Sequence, residues 1–377
     1  MLGRLILVVV VVFGLVVVQQ TLSIYSDFQG HLRFAVDIAE HGRFARPHIL
    51  YPFSIIAVAR ILPVGYVAAS VLVTVFSYAL TAYVVYRCVR PYFGFVRRAP
   101  LNTALLTVAL MVAMPLNLFT LTRGDPYFGY IVINAVHNPT TILVKPFSLL
   151  LFVFCMAAFE QRISFSGRFV MIGIGLTLLG IWAKPNYILC LLPALAIIMG
   201  YFFVRRQSVE WRVIVLGVFL PALLSLMLQY VWTFQTQSIG EGGNVVFAPF
   251  AGILPYEPSV SWLIIKLALS IAFPVVVYAA YFRQARTSLA LNLSWLTFVF
   301  GAAQFYLLAE TGVRALHGNW WWGAQIALWI VFIMSAGFLV GQAPSRKRLV
   351  CWIIFAAHVV CGIVYFIIGV VQPEWTT

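Results

Sequence analysis

The chain is 377 residues long, 63% hydrophobic and only 9% charged, with a mean hydropathy of +1.00. A soluble core cannot absorb that much apolar surface, whereas a bilayer can, so soluble globular classes are excluded. A net charge of +14 would suggest nucleic acid in a soluble protein; here the basic residues are scattered through short loops between apolar runs, so membrane orientation is the sufficient reading and no nucleic-acid partner is expected.

The apolar runs predict about eleven crossings in a single transmembrane domain over 1–377, an all-α polytopic fold. The first run, Leu5 to Val18, lacks a small-x-small cleavage pattern and continues into Gln19 and Gln20, so a retained helix over 2–24 is expected rather than a signal peptide. A first outer loop spans 25–62. Ser26-x-x-Gln29 is a capping-box pattern that starts a helix at Asp27, and the helix stops near Gly42. Phe28, Leu32, Ala35 and Ala39 line one side, as suits a helix lying in the interface. Ile49 to Leu62 is too short to span comfortably and reads as a second interfacial or re-entrant helix before Pro63. Later spans are predicted over 64–86, 101–121, 141–159, 169–183, 186–204, a seventh reaching 234, 262–282, 289–308, a tenth reaching 342, and 349–371. The connections at 122–140, 235–260 and 309–322 become outer loops, with 235–259 expected to be unstructured.

With the N-terminus in the cytoplasm, 15 of the 24 Lys and Arg fall on inner loops and ends, and of the ten acids only Glu160 and Glu210 do. That is the positive-inside pattern of a multi-pass plasma-membrane protein. The outer side gathers the remaining acids and every His except His358, so chemistry is expected there. The five Cys lie in apolar runs or at their inner ends and imply neither a disulfide framework nor a metal spacing.

Asp27 and His31 stand four residues apart on one face of the first interfacial helix. A carboxylate there can act as general base toward an acceptor hydroxyl, with His31 orienting it, sharing its proton or binding a phosphate oxygen. Equally, Asp27 can simply favour a helix N-terminus. Gly124-Asp125-Pro126 is an ordinary turn sequence. Asn138 can cap the helix that follows it, which leaves His137 without an evident structural task.

Lys145 and Lys184 each precede a proline at the outer end of an apolar run. A cation at bilayer depth costs ~2.5–3.5 kcal/mol on insertion scales, so it is paired, snorkels to lipid phosphate, or is functional. Two such steps at similar depth suggest a shared anion site, where an ammonium stabilises charge on a departing phosphate or pyrophosphate. The stretch 310–322 concentrates Glu310, Arg314, His317, Asn319, Trp320, Trp321 and Trp322. Glu310 and Arg314 pair if that stretch is helical, and Arg314 can hold phosphate. The tryptophans form either an interfacial belt, the commoner role, or a platform for sugar. The Gly240 stretch has no nucleotide-binding pattern.

These residues resemble the GT-C superfamily of multi-pass glycosyltransferases, most closely its polyprenol-phosphate-mannose-dependent α-mannosyltransferase branch. The pattern is Ser26-Asp27-Phe28, then Ala35 and Gly42, then Pro47-His48-Ile49-Leu50-Tyr51-Pro52 ahead of an apolar run, with Lys184-Pro185 after an apolar helix. It covers the first outer loop and elsewhere extends as topology. The resemblance implies interfacial helices in that loop, Asp27 as catalytic base, and a polyprenyl-phosphate-linked sugar as donor. It places the site outside, where nucleotide sugars are absent. The expected activity is sugar transfer to a glycan or glycolipid acceptor in cell-envelope polysaccharide biosynthesis. Lys184, Lys145 and Arg314 are expected on the donor phosphate; His137, Asn138, Glu310, His317, Trp320 and Trp321 are expected on substrate. The chain lacks the paired acids that directly follow the first helix in some members, which leaves a Mg²⁺ or Mn²⁺ requirement open. It also lacks a large soluble C-terminal domain, which argues against oligosaccharyl transfer. The alternatives are a polysaccharide polymerase or ligase using outer Arg and His residues, and a lipid or sugar transporter, which would favour midplane charges and repeated halves.

Overall fold

A computed structural model describes residues 1–24, 26–44, 48–94, 98–118, 128–233 and 243–372. Among the described residues nine helices are long and apolar enough to cross a membrane, the architecture of an all-helical multi-pass membrane protein. The helices α1 (Leu2–Leu22), α2 (Asp27–His41), α3 (Leu50–Ile61) and α4 (Tyr66–Val89) open the chain. Then come α5 (Ala99–Val112), α6 (Pro139–Phe159), α7 (Gly167–Ala183), α8 (Asn186–Val204) and α9 (Trp211–Val231). The strand β1 (Val245–Phe247) precedes α10 (Val260–Ala280) and α11 (Leu289–Leu307); β2 (Leu308–Glu310) precedes α12 (Trp321–Val340) and α13 (Arg346–Val371). Two of the expected spans, α5 and α7, are shorter apolar helices, as is α3.

Helix α12 is almost wholly buried and packs against α6, α8, α10 and α11, while α1 packs against α4 and α13. The short helix α2 is amphipathic, burying Phe28, His31 and Ala35 and exposing Arg33 and Glu40. The reciprocal capping box does not form. Ser26 Oγ accepts from Phe28 N at 3.5 Å, but Gln29 Nε2 turns to the Thr21 carbonyl at the end of α1.

Three sequence expectations are corrected. The third span stops at Val112 rather than 121, because the chain leaves the helix at Ala113 (φ −53°, ψ 136°) ahead of Pro115, which has no N–H to continue a helix. Helices α13 and α10 hold that extended stretch: Met114 N donates to the His358 carbonyl at 3.0 Å and Leu116 N to the Leu269 carbonyl at 3.2 Å. Second, the stretch 130–138, expected within an outer loop, is not solvent-exposed. It is irregular chain buried throughout, with Ile131 N donating to Ser270 Oγ at 3.1 Å and Asn134 Nδ2 to the carbonyls of Leu110 and Ala113 at 3.1 and 2.8 Å. Within a bilayer protein, non-helical backbone survives where protein groups satisfy it. Third, the stretch 235–259 is structured in part. Val245, Val246 and Phe247 pair antiparallel with Glu310, Ala309 and Leu308, tying two connections into one ribbon.

Helix α9 contains a π-helical turn over Val215–Phe219. Pro221 cannot donate to the Gly217 carbonyl four residues back, and Thr177 Oγ1 of α7 takes that acceptor at 3.1 Å. The two helices meet at Gly173 and Gly217, where a Cβ on Gly173 would stand 3.0 Å from Gly217 Cα.

Candidate functional site

Asp27 occupies the first position of α2, exposed at the rim of a buried polar cluster. Its neighbour Ser26 donates from Oγ to the His137 carbonyl at 2.9 Å, which ties the start of α2 to the buried segment 130–138. Asp27 Oδ2 accepts from Asn138 Nδ2 at 2.6 Å. Asn138 is also the cap of α6: its Oδ1 accepts from Thr141 N at 2.9 Å, Thr140 Oγ1 at 2.8 Å, Thr141 Oγ1 at 3.0 Å and Lys184 Nζ at 3.3 Å. So many donors on one oxygen fix the amide with its nitrogen toward the carboxylate. The cap expected at Asn138 is present, and the same side chain aims Asp27.

Lys184 ends α7 because a residue before proline is driven out of the helical region; its backbone is extended at φ −168°, ψ 117°. The side chain then runs inward. Its Nζ donates to Thr140 Oγ1 at 3.1 Å and lies 4.4 Å from the Trp322 ring centroid. The residue is 6% exposed, so it does not snorkel to lipid. The His137 ring stands 5.6 Å from the same indole. One cluster therefore gathers Asp27, His137, Asn138, Lys184 and Trp322.

His31 is buried on α2 among aromatic rings, with Phe34, His48 and Tyr51 each within 6 Å: 5.9, 5.8 and 5.8 Å between centroids. Tyr51 hydrogen-bonds Ser70 and Thr74 of α4, both at 2.9 Å, and burial pushes its hydroxyl up to about 12. The role of orienting Asp27 that the sequence offered to His31 is taken by Asn138.

Lys145 is also buried, but on different partners. Its Nζ donates to Asn134 Oδ1 at 2.7 Å and lies 5.3 Å from the Trp329 ring. Trp322 and Trp329 are two turns apart on α12, roughly 10 Å along the axis. The structure thus seats the two lysines two turns apart on one face of α12 and gives them no common partner in these contacts, where the sequence suggested a shared anion site.

Glu310, on β2, receives Arg314 Nε at 3.0 Å and Asn319 Nδ2 at 2.5 Å. The expected Glu310–Arg314 pair forms, although a strand and a 3₁₀ turn carry it in place of an α-helix. Asn186, two residues past Lys184, donates to the Asn319 carbonyl at 2.5 Å and links this cluster to the first. His317 is exposed and Trp320 half-buried. Trp321 and Trp322 are 8% and 6% exposed, so these two are core and site residues rather than a lipid-facing belt. Arg123 and Asp125, like Pro47 of the motif, lie outside the described residues.

Sequence reasoning missed Asn134, Thr140 and Asn186, polar residues in apolar surroundings whose partners are remote in sequence. It also missed the buried pair of Lys266 and Glu257. Lys266 carried the same signal as Lys145, a cation inside an apolar run. Beside the end of α7, an open apolar groove of about 390 Å³ is lined by Phe44, Ile49, Trp182, Leu228 and Trp232, with Ser225 and Gln229 as its polar members. Among the described residues no three His, Cys, Asp or Glu side chains come together as metal ligands. The cluster around Asn138 brings together a carboxylate (Asp27), an ammonium (Lys184) and an imidazole (His137). Compared with known proteins, the chain matches no family model, no curated protein and no solved structure.

Proposed function

We propose that the protein is a membrane glycosyltransferase that moves a sugar from a polyprenyl-phosphate carrier to a glycan or glycolipid acceptor. The observation that carries this reading is the Asp27–Asn138–Lys184 cluster: an exposed carboxylate and a buried ammonium held on opposite sides of one amide. Transfer from a phosphate-linked sugar can use both. The carboxylate takes the proton of the acceptor hydroxyl as that oxygen attacks the anomeric carbon. The ammonium faces the phosphate oxygen that departs with the bonding electrons, where Trp322 and the surrounding protein keep water away and strengthen the attraction. His137 beside Trp322 and the Glu310–Arg314–Asn319 cluster beyond Asn186 are assigned to the sugar in this reading. The groove at Trp182, two residues before Lys184, is apolar and open, as a polyprenyl tail requires.

In this reading the chain crosses the membrane about eleven times, α5 and α7 being short crossings and α2 and α3 lying at the outer interface. The N-terminus is cytoplasmic by the distribution of Lys and Arg, and the cluster faces outward in the plasma membrane. The test is reconstitution in liposomes with radiolabelled polyprenyl-phosphate mannose and envelope glycolipid. Appearance of labelled glycolipid with release of polyprenyl phosphate supports the proposal. Movement of lipid or sugar across the bilayer with no sugar transferred would replace it with the transporter reading.

A further inference from the structure

Helix α10 grips the buried segment at a second place, away from Asp27 and Lys184. Lys266 Nζ meets Glu257 Oε2 at 2.5 Å, with the two side chains 0% and 1% exposed, and donates to the Phe128 carbonyl at 2.7 Å. The ammonium lies 5.4 Å from the Tyr130 ring centroid. Gly129 bends the chain at φ +81°, and a Cβ there would stand 2.9 Å from Lys266 Cδ and 3.3 Å from Glu257 Cβ. The backbone therefore lies flat against the ion pair, a fit only glycine allows. One turn along α10, Ser270 Oγ accepts from Ile131 N.

Tyr256, next to Glu257, reaches the other wall of the site. Its ring stacks on Phe128 at 5.0 Å and meets Trp321 edge-on at 5.1 Å, and its hydroxyl donates to the Leu316 carbonyl at 2.5 Å. Trp321 precedes Trp322, the indole beneath the Lys184 ammonium. The pair bonds the segment that leads to Asn138 at Phe128, and Phe128 in turn stacks on Tyr256, the chain neighbour of Glu257 and the first ring of the stack that leads to Trp322. A buried ion pair is often no more stabilising than apolar side chains of the same volume, so stability alone is a weak reason for this one.

We infer that Lys266 and Glu257 are positioning residues: their ion pair locks the segment 128–138 and the Tyr256–Trp321 stack in one register, and so sets the geometry of Asn138 and Trp322 around Lys184. The functional consequence rests on the glycosyltransferase reading; the locking does not.

The experiment compares wild type, Lys266→Met, and Glu257→Gln combined with Lys266→Met in lipid nanodiscs, by thermal unfolding and by hydrogen exchange read peptide by peptide. Lys266→Met alone strands the Glu257 charge and is expected to lower thermal stability. The double variant removes both charges and is expected to return within about 5 °C of wild type. It should nevertheless exchange about tenfold faster across 130–138 while α13 exchanges as in wild type. Glu257→Asp, which keeps the charge and shortens its reach, reads the same local change without new apolar packing, should the double variant fail to fold. Where wild type transfers mannose from polyprenyl-phosphate mannose, either variant is expected to lose about tenfold in kcat. Wild-type exchange across 130–138 in a folded variant overturns the locking. A wild-type protein that transfers nothing removes the glycosyltransferase reading and leaves the exchange result to judge the locking by itself. Faster exchange with an unchanged kcat overturns the positioning role.

Discussion

The Asp27 carboxylate and the Lys184 ammonium share one partner. Asn138 gives its nitrogen to Asp27 at 2.6 Å and its oxygen to Lys184 at 3.3 Å, so the rim of the site and its interior are set by a single side chain that also starts α6. On the glycosyltransferase proposal, a base and a phosphate-facing cation fixed in this way would need no rearrangement to act together.

Asn138→Asp separates the two jobs of that amide. Aspartate is as good a cap as asparagine, so α6 should stay intact and thermal stability should change by less than ~1 kcal/mol. The donor to Asp27 is lost and a like charge faces it, so transfer should fall far more than stability. Asn138→Ala should lose both, with a stability cost of ~0.5–2 kcal/mol from the missing cap. Thermal unfolding and transfer measured on the same preparations check both.

Lys184→Met should fold and abolish most transfer, by roughly 10²–10³-fold, the usual loss when one group facing developing charge is removed. Lys145→Met should behave differently. It leaves Asn134 Oδ1 without its Lys145 donor, a cost of ~1–3 kcal/mol offset in part by the removal of a buried charge, and it should transfer at nearly the wild-type rate. Rates for the two variants, normalised to protein in the membrane, check the distinction. Equal losses would return Lys145 to the phosphate.

Trp322→Leu removes the ring beneath Lys184 and beside His137. The lost cation–π contact amounts to ~0.5–2 kcal/mol, and its removal should weaken donor binding by roughly ten-fold while Trp320→Leu, half-buried and away from both lysines in the contacts described, changes it little. Donor titrations of the two variants are the measurement.

Gly173→Val tests the bundle rather than the site. The added side chain would drive into Gly217 Cα and the Phe154 ring at the crossing of α7 and α9. Overpacking of this kind costs ~1–3 kcal/mol, to be read as a fall in unfolding temperature in detergent.

The sequence reveals what neighbouring residues decide. Ser26 and Gly42 bracket α2, Pro185 ends α7 at Lys184, and Asn138 caps α6, because each is a short-range backbone effect. The Asp27–Asn138 bond joins residues 111 apart and leaves no local trace. The ribbon of β1 and β2 hides for the same reason: each strand is three residues long, and its pairing is tertiary. Trp321 and Trp322 illustrate a different limit. Tryptophan beside an apolar run has the same composition whether it faces lipid head groups or a buried lysine, and only packing separates the two. Lys145 and Lys184 stand out in the sequence as costly cations, but their spacing does not show which residues satisfy each. The segment 130–138 reads as a loop because it lacks helical periodicity, and its partners, the carbonyls of Leu110 and Ala113 and the side chains of Lys145 and Ser270, are ones that no local pattern connects to it.

In the proposed reaction Asp27 removes the acceptor proton. The most direct measurement is the rate of sugar transfer by Asp27→Asn beside wild type, reconstituted at equal protein with the same donor and acceptor. Asparagine keeps the size of the side chain on an exposed position, so folding should be unaffected. The expected loss is at least about 10²-fold, the lower bound for removing a general base. Transfer at the wild-type rate would contradict it.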